Sequence, residues 1–391
     1  MVKRLMVERA DRLYHLPPII DDFLPRVGRT TVLGRDIIDL ARFRWPIDEA
    51  ISAGDGSAAS ADQTQLTELA ELTAEWYRNR FGARINPRKE IFFGASIRQI
   101  LGMLTLSFFN PGDLILIPDP GVWHYRAAAA LASAETVPYH LTERNHFRPD
   151  LRAVTGNLIR LARGIILNSP HNPTGALLTH EDLSQLLRLA GKDNLLLVLD
   201  QAFATLSDNN QSLSLFSLPG GRKVALELYS YAYNFGLLMP SIAFAVGQPA
   251  IIAGLQQTAA AFGITLSRHS AQTALHACRS GKTGSDDLAI RFQHNREMAE
   301  EICRKLRLEP ADNRTGPFCW ARLPGRKMSR RFCRVLYLRC GVLAVPGMAF
   351  GENGEGYVRF SLTAPEATYQ KAIDAVAKFQ QPRRERKAAD G

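Results

Sequence analysis

The sequence predicts an α/β protein with a large lobe on a mostly parallel sheet flanked by helices, then a smaller α+β lobe. Three observations predict it. Short apolar, β-rich runs alternate with helix-patterned segments through the middle of the chain, as βα units require. No internal repeat appears, which excludes a solenoid. After about residue 275 the strict alternation gives way to mixed helices and strands.

The elements follow in order. The runs EIFFGA, LILIPD, ETVPYHL, GIILNSP, LLLVLDQA, VALELYSYA and IAFAVG are bounded by turn residues and read as buried strands. Between them, SIRQILGMLTLSFFN, HYRAAAALASA and THEDLSQLLRLAGK carry apolar residues at helical spacing. The stretch PAIIAGLQQTAAAFGITLSRHSAQTALHACRSG reads as one long helix ending near Gly281. A helix around Asp286 to Leu306, a strand at GPFCWARLP, a helix around Ser329 to Arg339, strands at GVLAVPG and GYVRFSLTA, and a final helix PEATYQKAIDAVAKFQ complete the chain. The expected organisation is an N-terminal arm and small-lobe segment over 1–48, a large domain over 49–275, a small domain over 276–380 and a disordered basic tail over 381–391.

Composition narrows the function classes. The 391 residues are 46% hydrophobic and 22% charged, ordinary for a soluble globular protein. No apolar run is long enough to span a membrane, and the N-terminus alternates charge with apolar residues too closely for a signal peptide, so a cytoplasmic protein is expected. The five cysteines form no metal-ligand spacing and read as reduced structural thiols; no metal is expected. The net charge of +10 collects in GRKMSRRFCRVLYLRC and QQPRRERKAADG, without the interleaved aromatics of a nucleic-acid surface, and no nucleic-acid partner is expected.

Three places carry chemistry. In FFGASIRQILGM a strand ends at Gly94 and Ala95 and a helix starts at Ser96, which leaves free N–H groups fit for an anion, although an ordinary capped turn has the same look. In ILNSPHNPTGALLTHEDL a buried strand runs into a turn that sets Asn172 at the C-terminal sheet edge, where α/β folds hold ligands. Asp200 ends the apolar run NLLLVL and needs either a cationic partner or a cap to satisfy.

Taken in order, HNPTG, PGMAFG and GYVRFSL resemble the class I/II, fold-type I, pyridoxal-phosphate-dependent aminotransferases, from about residue 38 to 376. The resemblance implies that fold and a homodimer with its sites at the subunit interface. It implies that Asn172 would meet the cofactor phenolate and Asp200 the pyridinium nitrogen. Gly94, Ala95, Ser96 and Ser230 would surround the phosphate, and Arg359 would fork onto a substrate carboxylate.

The departures sit where that chemistry is done. Tyr233 stands where the family has its Schiff-base lysine, and Ser241 where it has a phosphate-binding arginine. Phe203 replaces a tyrosine, and Val122 replaces the stacking aromatic, with Trp123 displaced by one. A phenol forms no aldimine, so no covalently bound cofactor is expected. Loss of the arginine weakens phosphate binding by roughly 10- to 100-fold, which leaves non-covalent pyridoxal or pyridoxamine phosphate the least favoured route. The expected function is a cofactor-independent enzyme acting on an amino-acid-like carboxylate, with Tyr233 as a catalytic candidate and Phe43, Arg44 and His124 as substrate contacts. The alternative is a non-catalytic partner of an active relative.

Overall fold

The computed structural model describes residues 10–24, 31–32, 35–43, 59–150, 156–193, 195–206, 212–235, 242–280, 285–326 and 328–380. Arg44, Ser241 and the basic tail lie outside these residues.

Seven strands form the large sheet, in the spatial order Ile91–Gly94, Ala243–Gly247, Ala225–Ser230, Leu196–Asp200, Ala162–Asn168, Leu114–Asp119 and Glu135–His140. Every β-rich run read from the sequence supplies one. Ala243–Gly247 runs antiparallel to both neighbours, and the remaining pairs are parallel. Buried parallel strands need apolar side chains on both faces, and Leu197, Val198 and Leu199 are all at most 1% exposed.

Register decides where the polar exceptions point. Asn168 pairs with Asp200, and Asp200 with Leu228, so these residues share a face at the C-terminal end of the sheet. Ser230, two residues beyond Leu228, lies on that face too. Glu227 pairs with Leu199 and therefore turns to the opposite face.

Helix starts follow local chemistry. Ser96 caps Ile97–Phe108, its Oγ accepting from the Gln99 N–H at 3.2 Å. Thr179 and Asp182 form a reciprocal capping box before His180–Asp193, with the Asp182 carboxylate accepting from the Thr179 N–H at 2.8 Å and the Asp182 N–H donating to the Thr179 hydroxyl at 3.2 Å.

One element differs from its sequence reading. The long helix expected up to Gly281 is two helices, Pro249–Ala261 and Arg268–Ser280. Gly263 takes φ +64°, a left-handed conformation that ends the first helix, and Ser267 Oγ accepts from the Ser270 N–H to start the second.

The small lobe holds a four-stranded antiparallel sheet in the order Glu309–Pro310, Phe318–Arg322, Tyr357–Ser361 and Val345–Pro346. Helices Ser285–Leu306, Ser329–Cys340 and Glu366–Gln380 accompany it. The N-terminal strand Ile38–Asp39 pairs in parallel with Val342–Leu343. Gly341, at φ +75°, makes that junction close-fitting, because a Cβ there would lie 2.6 Å from the Asp36 carbonyl oxygen.

Candidate functional site

A cavity of about 560 Å³ opens over the C-terminal edge of the large sheet. It is walled by the strand ends at Asn168, Asp200 and Ser230, by the starts of helices Ile97–Phe108 and Trp123–Leu131, and by Phe318 and Arg359 of the small lobe. The geometry brings Ser96, Val122, Trp123, His124, Asn172, Asp200, Phe203, Ser230, Tyr233, Arg359 and Phe43 to one place. Gly94 and Ala95 do not line it: Gln99 folds back so that its Oε1 accepts from the Ala95 N–H at 2.8 Å, and a Cβ on Gly94 would sit 2.9 Å from Ile100 Cγ1.

Arg359 is 4% exposed, in a strand otherwise made of apolar neighbours and Ser361. One terminal nitrogen donates to Asn172 Oδ1 at 2.9 Å and the other to the Ala41 carbonyl at 3.2 Å. The rings of Phe318 and Phe350 lie 4.1 and 4.9 Å from the guanidinium carbon, which holds its plane by cation–π contact. Its Nε is buried and has no hydrogen-bond partner among the described residues. Burial lowers its pKa to about 9, so the group stays protonated at neutral pH, and it has no ion-pair partner among the described residues.

Asp200 is held from two sides. Tyr125 donates to Oδ2 at 2.8 Å and the Ala202 N–H donates to Oδ1 at 2.9 Å. His124 Nε2 lies 3.9 Å from Oδ2, beyond hydrogen-bond length, and it too is buried without a partner among the described residues.

Tyr233 follows the strand end at Ser230 in the short helix Tyr231–Asn234. Asn234 fixes that turn by donating to the carbonyls of Ser230 and Ala202 and accepting from the Thr205 N–H. The Tyr233 ring packs against Phe43 and Phe203 at centroid distances of 4.9 and 4.8 Å. Burial, with Asp200 adding to it and Arg98 and Arg359 opposing it, raises the pKa of the phenol. The group is a neutral hydrogen-bond donor at physiological pH. No lysine is among the described residues that line the cavity, so the lining offers no primary amine to a carbonyl cofactor.

Sequence reasoning missed several participants. Tyr125, Asn168, Arg98, Phe318, Arg42 and the Ile19–Asp21 segment all reach the cavity. Arg98 stacks over Trp123 at 5.2 Å, and Asp21 faces Arg42 at 3.7 Å. Asn168, in the apolar string GIILN, carried the same strand-end signal as Asp200 and was the readable one. Among the described residues no cluster suits a metal ion and no helix is long and apolar enough to cross a membrane.

The chain is 28% identical over 385 residues to the LL-diaminopimelate aminotransferase of Dehalococcoides mccartyi strain 195, covering 95% of this chain and 98% of that protein. It is 27% identical over 379 residues to the Halothermothrix orenii enzyme of the same name, covering 94% and 97%. Among solved structures, apo-BacF from Bacillus subtilis superposes with a TM-score of 0.86 at 23% identity, over 96% of this chain and 99% of that one. The aspartate aminotransferase from Thermotoga maritima gives a TM-score of 0.84 at 19% identity, over 95% and 99%; both show a shared fold. The family model for aminotransferase class I and II matches residues 40–376, from the N-terminal segment to the last helix, and the chain belongs to that family.

Proposed function

We propose that this aminotransferase-family cavity receives the carboxylate of an amino-acid-like ligand on Arg359 and acts on it without a cofactor held covalently by the protein. The observation that carries the reading is Arg359 itself. A buried guanidinium with an unpartnered Nε, close to two rings and pinned by Asn172 and Ala41, has no carboxylate partner among the described residues to make its burial favourable. A ligand carboxylate accepting from the guanidinium would supply it through charge-assisted hydrogen bonds. The relatives' names point to an α-amino acid as the ligand class.

The residues that would face the pyridoxal cofactor are a poor fit for covalent attachment. Tyr233 occupies the position of the anchoring lysine in the family resemblance, and the Asn172 side-chain oxygen is already bonded to Arg359. Asp200, held by the Tyr125 hydroxyl, and His124 then form a polar patch for acid–base work on the ligand. Arg359 would hold the carboxylate, the Phe43, Phe203 and Phe318 rings would keep water from its apolar part, and Tyr233 would donate one hydrogen bond. A second reading, a binding partner without catalysis, draws on the same aromatic packing, since the Tyr233 ring fills space that a ligand would otherwise take.

Calorimetric titration with a panel of L-α-amino acids and simple carboxylates tests the proposal. The wild type should bind at least one class member, and Arg359→Lys should bind it roughly 10- to 100-fold more weakly, because an ammonium cannot reproduce the fork. Equal binding by the two proteins, or no binding by either, removes the carboxylate assignment.

A further inference from the structure

We infer that His124 is the proton acceptor of this cavity, oriented by Asp200, and that it activates an amine or hydroxyl group of the bound ligand. The inference rests on the carboxylate reading above and adds the group that does the chemistry.

Geometry favours one arrangement of the ring. His124 Nε2 is buried and lies 3.9 Å from the Asp200 carboxylate. A lone pair aimed at a carboxylate is repelled and an N–H is attracted, so the proton of the neutral imidazole belongs on Nε2. Nδ1 then carries the lone pair. Nε2 is enclosed and has no hydrogen-bond partner among the described residues, while the side chain keeps 17% exposure and lines the cavity, so we assign Nδ1 as the nitrogen that meets it. The ring is held edge-on by Tyr125 at a centroid distance of 4.7 Å. Asp200 is held in turn by the Tyr125 hydroxyl and the Ala202 N–H, so a fixed carboxylate backs an imidazole whose other nitrogen meets the cavity.

The alternatives in the cavity are weaker. The Arg98, Arg42 and Arg359 guanidiniums are hydrogen-bond donors, and Asp21 faces Arg42 at 3.7 Å. Tyr233 is kept neutral by burial, which leaves the phenol a donor and a poor base. His124 is the one imidazole among the described residues that line the cavity.

The step balances within the site. Nδ1 takes a proton from the ligand's ammonium or hydroxyl, an N–H or O–H bond breaks, and its electron pair stays on the ligand atom as a nucleophile. The imidazolium so formed is stabilised by Asp200, which keeps its own charge.

The test has two arms and needs no known substrate. Long-range proton–nitrogen NMR on the neutral imidazole form of the wild type should show the His124 proton on Nε2. A ring protonated on Nδ1 overturns the inference. Diethyl pyrocarbonate should acylate His124 at Nδ1, with mass spectrometry reading the rate. Asp200→Asn should slow acylation at Nδ1, because a neutral amide no longer favours the tautomer that carries its proton on Nε2. An unreactive His124, or an unchanged rate in the variant, also overturns it. If Asp200→Asn fails to fold, the wild-type tautomer decides. Both arms read His124 and not ligand binding, so this inference and the Arg359 assignment fail separately.

Discussion

Asp200 and Glu227 are buried carboxylates on adjacent strands of the large sheet, and their surroundings differ in a way that separates a site from a scaffold. Glu227 is 0% exposed and fully engaged: the hydroxyls of Tyr77 and Tyr229 donate to Oε2, at 2.5 and 2.7 Å, and the Leu215 N–H donates to Oε1. Around it, Ser214 bonds to Tyr77, and Gln201 bonds to Tyr229 and to the Leu213 carbonyl. Asp200, one residue before Gln201, has two donors, an imidazole out of hydrogen-bond range and a cavity beside it. One acid is saturated by the chain and fastens the segment Ser212–Ser217 to the sheet. The other keeps capacity for something the chain does not supply.

The comparison is sharpest in stability. Glu227→Ala strips an acceptor from three buried donors and should cost roughly 3 kcal/mol or more, at about 1–3 kcal/mol for each group left unsatisfied. Asp200→Asn keeps an acceptor for the Ala202 N–H and should cost about 1 kcal/mol or less. Chemical denaturation of both variants checks this, and equal losses would erase the distinction.

The two acids should also differ in pH dependence. Burial raises the Glu227 pKa above its ordinary 4.5, with its hydrogen bonds opposing the rise. Between the unfolded and folded pKa values the native state binds the extra proton, so stability falls as pH rises through that window. Glu227→Gln should remove this component from the wild-type pH–stability curve. A variant curve parallel to the wild type from pH about 4.5 upward would show that Glu227 titrates normally.

A smaller effect is expected from the tyrosines. Tyr229→Phe breaks its bond to Glu227 and leaves Gln201 Nε2 with the Leu213 carbonyl alone. Tyr125→Phe removes one donor from an acid that borders the cavity, where water can replace it. The first should cost about 1–2 kcal/mol and the second under about 1 kcal/mol; the reverse order in thermal melts would mean that Asp200 is the more enclosed group.

The same pair shows what the sequence made legible. All seven large-sheet strands were readable, because apolar runs between turn residues are the direct imprint of a doubly covered sheet. Asp200 stood out as an acid ending such a run, and Glu227 interrupts VALELYS with the same signal. What the sequence withheld was register and partners. Only the pairing of Asp200 with Leu228 and of Glu227 with Leu199 assigns them to opposite faces. The helix break at Gly263 was hidden because a single glycine is tolerated within helices as well as ending them. Arg98 and the Ile19–Asp21 segment reach the cavity through tertiary approach, which leaves no periodicity to read.

We propose that the cavity works without a covalently anchored aldehyde cofactor. Incubation with pyridoxal phosphate, borohydride reduction and peptide mapping test it directly. The expected result is no pyridoxyl adduct on any peptide that lines the cavity, since no lysine is among the described residues that line it. A pyridoxyl-lysine whose formation is blocked by a ligand of the cavity would contradict it, and would mean that a lysine from outside the described lining enters the site.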